Sequence, residues 1–160
     1  MEKIKHPLRT NVGHFLNKPV GYSREFEIDF SEIFIEPDLN ANNLKGKYSF
    51  SRTSEGLLLQ AELEADLEGQ CSRCLEPMPV HVATHFEELY VFETRIKEEL
   101  DEEEVPNDGY IELGIPFRDY LLLEMPINNI CRPDCKGICL DCGQNLNLGS
   151  CEHNHGIEYL

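Results

Sequence analysis

The chain has 160 residues, enough for one domain with a small appendage. Its 30 acidic side chains outnumber the 14 lysines and arginines and give a net charge of −16, which excludes a general binder of nucleic acid backbones, because such binders depend on Lys and Arg. No apolar run is long enough to cross a membrane, and the first residues lack the pattern of a signal peptide. Its 7 cysteines are too sparse for a disulfide scaffold, so we expect a cytoplasmic protein with reduced thiols.

The charge is unevenly distributed along the chain. Residues 1–25 carry five basic and two acidic side chains, a net of +3, whereas residues 26–160 carry nine basic and 28 acidic ones, a net of −19. We therefore divide the chain into a slightly basic N-terminal arm (1–25), a β-rich body (26–126) and a cysteine-rich C-terminal module (127–160). The module has too few apolar residues for a core of its own, so something other than hydrophobic burial must order it.

Alternating apolar and polar residues predict strands in the first half of the body. Residues 25–30 and 47–51 give two short strands, and residues 53–56 have the composition of a hairpin turn. The longest alternation runs from Leu57 to Glu68 and predicts a strand that is buried on one side and acidic on the other. The acidic side consists mainly of Glu62, Glu64, Asp66 and Glu68.

The second half of the body begins at a corner over residues 69–79, which contains Cys71 and Cys74, and continues into another alternating strand. Six of the seven residues 98–104 are acidic. Like charges at that density repel one another, so we predict a solvated acidic loop near residues 93–109.

One helix is predicted before the C-terminal module. Pro116 suits the first turn of a helix, where its missing N–H costs nothing, and Pro126 should end that helix near Met125. The predicted fold class is therefore α+β: a mostly antiparallel β body with a few short helices and a C-terminal cysteine-rich, zinc-binding segment.

The cysteines of the C-terminal module have the spacing of a zinc site. Residues 139–143 read Cys-x-x-Cys-Gly, the zinc-knuckle pattern, in which both sulfurs turn toward one ion and the glycine permits the tight turn. A tetrahedral structural zinc needs four ligands, and the set that we predict is Cys131, Cys135, Cys139 and Cys142. The alternates are Cys151, His153, Cys71 and Cys74. These eight groups would suffice for two sites, of which we expect one to be complete.

Catalytic alternatives have little support in the sequence. Cys71-x-x-Cys74 resembles a dithiol redox motif, but Pro77 and Pro79 follow so closely that the helix needed to lower a thiol pKa cannot start there. No glycine-rich phosphate loop follows a strand, and the carboxylates lie on an exposed face or in the acidic loop. We predict that the protein is not an enzyme.

Two stretches of the sequence resemble one family. They are Cys71-Ser-Arg-Cys74-Leu-Glu-Pro77 and the run from Cys131 through Cys135-Lys-Gly-Ile-Cys139 and Cys142-Gly-Gln-Asn-Leu-Asn147 to Cys151. Both are similar to motifs of the YceD family, the large ribosomal RNA subunit accumulation proteins of bacteria and plastids. The resemblance covers the chain from about Phe26 to its end, and it implies a role in the accumulation of large-subunit (23S) rRNA. His153 departs from the pattern, because relatives often carry a cysteine there.

Together with the resemblance, the acidic strand face leads to a hypothesis on mechanism. Such a face would attract a basic ribosomal protein or a pre-ribosomal particle, so that the effect on rRNA is indirect. The second hypothesis is direct RNA contact by the zinc module and the arm. The basic residues available for that contact are Arg132, Lys136, Lys3, Lys5 and Arg9. A thiol redox protein and a metal-stapled domain with an unrelated partner are the remaining alternatives.

Overall fold

The described part of the chain, residues 7–92 and 103–153 of a computed structural model, is built mainly from strands. The strands are β1 (Arg9–Asn11), β2 (Ser23–Ile35), β3 (Leu39–Arg52), β4 (Gly56–Gln70), β5 (Pro77–Val91), β6 (Glu103–Glu104) and β7 (Tyr110–Glu112). A 3-10 helix at Gly13–Asn17 and the α-helix α1 at Gly114–Leu123 are the helices of this part. The prediction of a mostly β fold with few helices is confirmed.

Strands β2 to β6 lie in one sheet in the order β2-β3-β4-β5-β6, and β1 pairs with β7 in a second sheet. The β2–β3 and β3–β4 pairs are antiparallel. Strands β4 and β5 are antiparallel as well, since Phe92 N donates to Glu55 O (3.1 Å) at one end and Cys71 N donates to Glu76 O (2.9 Å) at the other. The short β6 runs parallel to β5. The three longest strands are therefore joined by direct hairpins.

The alternation along β4 decides which side of the sheet is buried. The apolar residues at every second position of β4 are at most 3% exposed: Leu57, Leu59, Ala61, Leu63, Ala65 and Leu67. They share the core with three aromatic side chains that are fully buried, namely Phe15, Phe50 and Phe117. The other side of β4 carries the acidic residues, so the period-two pattern of the sequence translates directly into a buried and a polar face.

Strand β3 deforms where it passes the acidic part of β4. The β3–β4 register shifts between Asn42 and Lys45, and Asn43 adopts a positive φ of 50°. At Gly46 the two strands approach so closely that a Cβ atom would lie 2.1 Å from the carbonyl oxygen of Glu62. Only glycine fits this position.

Helix α1 begins and ends close to where the prolines predict. Pro116 lies in its first turn, and the helix ends at Leu123, two residues before the predicted end. Phe117 and Leu121 are buried on the same face of the helix. No helix in the described ranges is both long enough and apolar enough to cross a membrane.

The chain divides into two compact units. The first unit comprises the described residues within Met1–Leu67 and His81–Met125, and the second comprises those within Glu68–Val80 and Pro126–Leu160. Residues 68–80, which the sequence analysis assigns to the β body, thus belong to the same unit as the C-terminal module.

Two predicted segments are only partly described. The N-terminal arm is described from residue 7, and its Leu8, Val12 and Phe15 are buried in the first unit. Of the acidic loop, residues 93–102 lie outside the described residues, whereas Glu103 and Glu104 form β6 beside Tyr90 and Val91.

Candidate metal centre

Four cysteines of the second unit converge on one point, and we call them the first cysteine cluster: Cys71, Cys74, Cys131 and Cys135. Their sulfur atoms all lie within 4.8 Å of one another. The Sγ–Sγ distance is 3.9 Å between Cys71 and Cys135 and 3.7 Å between Cys74 and Cys131. Three of the four side chains are buried, and Cys131 is exposed.

The first cysteine cluster has the dimensions of a tetrahedral thiolate site. With Zn–S bonds of about 2.3 Å, two ligands of a regular tetrahedron lie about 3.8 Å apart, close to the observed 3.7 and 3.9 Å. Both distances far exceed the roughly 2.05 Å of a disulfide bond, and all of the cysteines are free thiols. The residues present can therefore hold one tetrahedral ion.

The backbone around Cys71 forms a tight turn of the kind found in zinc-knuckle motifs. Leu75 N donates to Cys71 O and Cys71 N donates to Glu76 O, each at 2.9 Å, which closes a tight turn. Leu75 adopts a positive φ of 60° in this turn, the conformation that glycine usually occupies. Hydrogen bonds from the backbone N–H groups of Cys74 and Cys131 lower the pKa of Cys71 to about 6. Cys71 is therefore largely a thiolate at pH 7.

The other thiols of the first cluster differ in their affinity for protons. Burial opposes ionisation of Cys135, but hydrogen bonds from the Asn147 side chain and the Gly137 N–H outweigh it and lower its pKa. Burial and the neighbouring thiols raise the pKa of Cys131 to about 12. The negative charge of the Cys71 and Cys135 thiolates would repel further thiolates nearby, so Cys74 and Cys131 stay protonated. A divalent cation bound among the four sulfurs would remove this repulsion.

The second cysteine cluster consists of Cys139, Cys142, Cys151 and His153, whose ligand atoms also lie within 4.8 Å of one another. Cys139 is buried, Cys151 is half-buried, and the other two are exposed. Three thiolates and one imidazole are a common ligand set for structural zinc.

The second cluster repeats the knuckle of the first. Gly143 N donates to Cys139 O and Cys139 N donates to Gln144 O, each at 2.8 Å, and Gly143 has a φ of 72°. These are the same backbone offsets as in the turn that follows Cys71. The pKa of Cys139 is also lowered to about 6, by hydrogen bonds from the N–H groups of Cys142 and Asp141. The chain therefore contains two equivalent knuckles.

The structure divides the predicted ligand set between two places. Cys131 and Cys135 lie with Cys71 and Cys74, whereas Cys139 and Cys142 lie with Cys151 and His153. The set Cys131, Cys135, Cys139 and Cys142 is not brought together as one group. Each knuckle is completed by a pair from elsewhere in the chain, because the turns at residues 71–75 and 139–143 both aim two sulfurs at their own point.

Asn147 contacts the first cysteine cluster, which the sequence alone does not indicate. Its side-chain amide donates to Cys135 Sγ (3.3 Å), and its Oδ1 accepts from Lys136 N (2.8 Å) and Arg132 Nη2 (3.0 Å). The Gln-Asn-Leu-Asn run was visible in the sequence, but its spacing from Cys135 carries no local signal of this contact.

The predicted partner-binding acids lie on the outer side of β4, and two of them, Glu62 and Asp66, have partners there. Glu62 pairs with Lys47 of β3 at 3.3 Å. Asp66 accepts hydrogen bonds from Asn43 (2.8 Å) and from the ring of His81 (2.9 Å), and these two bonds, Asn43 first, lower the pKa of Asp66. Glu64 and Glu68 are exposed, and Glu68 is the first residue of the second unit.

Two of the basic residues considered for RNA contact, Arg9 and Arg132, are engaged with acids or amides. Arg9 lies 2.6 Å from Asp108 and 2.9 Å from Glu112. Arg132 lies 3.4 Å from Asp134, in addition to its contact with Asn147. Lys3 and Lys5 lie outside the described residues.

Comparison with known proteins identifies one family. A family model described as "Large ribosomal RNA subunit accumulation protein YceD" matches residues 59–158, more than half of the chain. This range includes every member of both cysteine clusters. No solved structure matches the chain.

Several curated proteins are similar to parts of the chain. An uncharacterized protein of Mycobacterium tuberculosis is 38% identical over 96 residues, which cover 58% of this chain and 46% of that protein. A large ribosomal RNA subunit accumulation protein homologue of Zea mays, named as chloroplastic, is 44% identical over 43 residues, or 27% of this chain and 15% of that protein. The Arabidopsis thaliana homologue of the same name is 45% identical over 47 residues, or 29% and 15%. The match thus spans about half the length of the mycobacterial relative.

Proposed function

This chain belongs to the YceD family of large ribosomal RNA subunit accumulation proteins, and we propose that it is a non-enzymatic factor that supports the accumulation of large-subunit rRNA during ribosome assembly. The observation that carries the proposal is the family match over residues 59–158. The match covers β4 with its acidic side and both cysteine clusters, so the features described above belong to the part of the chain that defines the family.

We propose that the partner is a basic ribosomal protein or a pre-ribosomal particle that binds the outer side of β2, β3 and β4. This surface, which we call the acidic sheet face, carries seven carboxylates and two lysines in the first unit. They are Glu25, Glu27, Asp29, Glu32, Glu62, Glu64, Asp66, Lys45 and Lys47. A negative surface of this kind attracts a basic partner and speeds its association.

The charge balance supports a protein partner over direct RNA binding. Affinity for an RNA backbone depends on cations that can exchange counterions with phosphates. Arg9 and Arg132 already face carboxylates at 2.6–3.4 Å. The acidic sheet face would itself repel RNA, so we place the contact with the ribosomal precursor on a protein component.

We also propose that the first cysteine cluster binds a structural zinc ion through four thiolates. The Sγ–Sγ distances of 3.7 and 3.9 Å support this assignment, because they match a tetrahedral site without rearrangement. The same spacing disfavours a dithiol redox function, since each sulfur has a metal-ligand geometry rather than a single disulfide partner. Zinc has no redox chemistry, and its role here is to order the chain.

Zinc affinity is expected to fall steeply as the pH is lowered. Cys71, with its pKa of about 6, is mostly ionised at pH 7, whereas Cys131, with its pKa of about 12, and Cys74, whose pKa is also raised, keep their protons. Binding must then release at least the protons of Cys74 and Cys131, so the apparent affinity should drop by about a hundredfold or more per pH unit between pH 8.5 and 6.5. Competition with a chromophoric chelator at pH 6.5, 7.5 and 8.5 measures this slope, and a pH-independent affinity would rule out thiolate ligands.

The proposed function is tested by deleting the gene in the source organism and profiling its ribosomal particles. The ratio of large-subunit to small-subunit rRNA should fall, and expression of this chain should restore it. Small-subunit rRNA serves as the internal control. An unchanged ratio together with an unchanged particle profile would overturn the proposal.

A further inference from the structure

The loop between Cys142 and Cys151 connects the two cysteine clusters. Both of its ends are members of the second cluster, while Asn147 in its middle contacts Cys135 of the first cluster at 3.3 Å. The loop contributes no buried side chain: Leu146 is only half-buried, and Leu148 is 83% exposed. Hydrophobic burial therefore does little to hold Asn147 beside Cys135.

From this arrangement we propose that the second unit binds two zinc ions, one in each cluster, and that Asn147 makes their binding cooperative. The second ion rests on the repeated knuckle: the same backbone turn, with the same hydrogen-bond offsets, presents Cys139 and Cys142 as it presents Cys71 and Cys74. Cys151 and His153 complete that set. The inference rests on the proposed zinc site in the first cluster.

The coupling works through the ends of the loop. An ion held by Cys142 and Cys151 fixes both ends and thereby removes most of the entropy that otherwise opposes the placement of Asn147. The amide of Asn147 then donates to the Cys135 thiolate and stabilises the negative charge of a four-thiolate site. By thermodynamic reciprocity, an ion in the first cluster strengthens binding in the second by the same factor.

Further contacts between the segments around each cluster support this coupling. Gly137, two residues after Cys135, has a φ of 74°, and a Cβ there would lie 3.0 Å from the carbonyl oxygen of Arg73. Its own carbonyl oxygen accepts from Leu146 N at 2.9 Å. Ile138 and Asn145 form a bridge beside it. The loop is thus docked on the turn that carries Cys135.

The test measures zinc binding by the full chain and its variants under reducing conditions. Native mass spectrometry gives the number of ions per chain, and competition with a chromophoric chelator gives the affinity of the first cluster. Co²⁺ in place of zinc distinguishes a four-thiolate site from a three-thiolate, one-imidazole site by its absorption spectrum. The variants are Asn147→Ala, Asn147→Asp, the pair Cys139→Ser with Cys142→Ser, and that pair combined with Asn147→Ala.

The wild type should bind two ions, Asn147→Ala two and the double serine variant one. Asn147→Ala and the double serine variant should each weaken the first site by about 10- to 100-fold, the usual effect of losing an outer-shell partner. The first site of the combined variant should bind zinc no more weakly than the first site of Asn147→Ala or of the double serine variant, because both changes remove the same contact. Asn147→Asp keeps the size of the side chain but places a carboxylate beside the thiolate, so it should weaken the first site further. Gln144→Ala, in the same loop but with its amide on Ser150 O, is the matched control.

Two results would overturn the inference. A wild type that binds one ion in a four-thiolate site would refute the second ion while leaving the proposed zinc site and function intact. Independent losses that multiply in the combined variant would refute the coupling. If Asn147→Ala misfolds, Asn147→Asp and the double serine variant still decide the question, because the effect of each on the first site is measured separately.

Discussion

Treatment with a strong chelator is expected to unfold the second unit, through loss of the proposed zinc, and to leave the first unit folded. In the described part of the second unit, the buried side chains are Cys71, Cys74, Val80, Cys135 and Cys139. Four of these five are candidate ligands, so the unit has almost no apolar core that could persist without an ion. Zinc binding contributes roughly 10–16 kcal/mol to the folding of small zinc peptides, enough to decide between the two states.

Limited proteolysis with and without a strong chelator measures this effect. After chelation, the first cuts should fall within residues 68–80 and 126–153, while β2 to the middle of β4 should resist. Cys131→Ser should give the same pattern without chelator, and Ser150→Ala, an exposed change in the same unit, should not. Uniform resistance after complete metal removal, or simultaneous loss of both units, would contradict the expectation.

Reversing charges on the acidic sheet face is expected to abolish capture of the basic partner. Glu62 and Glu64 are exposed on β4 opposite Lys47 and Lys45 of β3, so Glu62→Lys with Glu64→Lys should destabilise the fold by about 0.2–1 kcal/mol per site. The double reversal places four positive charges, including Lys45 and Lys47, where a cationic segment would bind. Recovery of large-subunit precursor particles at low salt should fall about tenfold or more.

A matched variant separates a local effect from a change in net charge. Glu55→Lys with Glu124→Lys alters the net charge equally, but these exposed residues lie in the β3–β4 turn and after α1, away from the acidic sheet face. Particle recovery with this variant should resemble the wild type. If both double variants reduce particle recovery equally, overall charge drives the association. If neither reduces particle recovery, the acidic sheet face is not the interface.

The sheet could largely be predicted because its signal is local. Eleven residues of strict alternation from Leu57 fix which side of β4 is buried, and hairpin turns bring neighbouring strands together. The β1–β7 pair was not predicted, since Arg9 lies opposite Glu112 about a hundred residues away and neither short segment has a periodic pattern. The parallel β6 was also missed, because Glu103 and Glu104 have the composition of a solvated loop.

The presence of cysteine clusters with metal-site spacing could be predicted, but not which cysteines group together. Cys-x-x-Cys spacing determines that two sulfurs turn to the same side, and this is local information. Which second pair completes the site depends on tertiary contacts, such as those of Ser72 with Asn129, which hold the segment before Cys131 against the first knuckle (2.7 and 3.1 Å). The role of Asn147 is likewise a contact across the fold.

The metal content of the purified protein shows directly whether bound zinc completes the second unit. Elemental analysis of full-length protein isolated without chelators, with the protein concentration measured independently, gives zinc per chain. We expect two equivalents of zinc, and one equivalent would retain the four-thiolate site alone. Less than half an equivalent, from protein whose thiols are reduced and whose two units are folded, would contradict both proposed zinc sites.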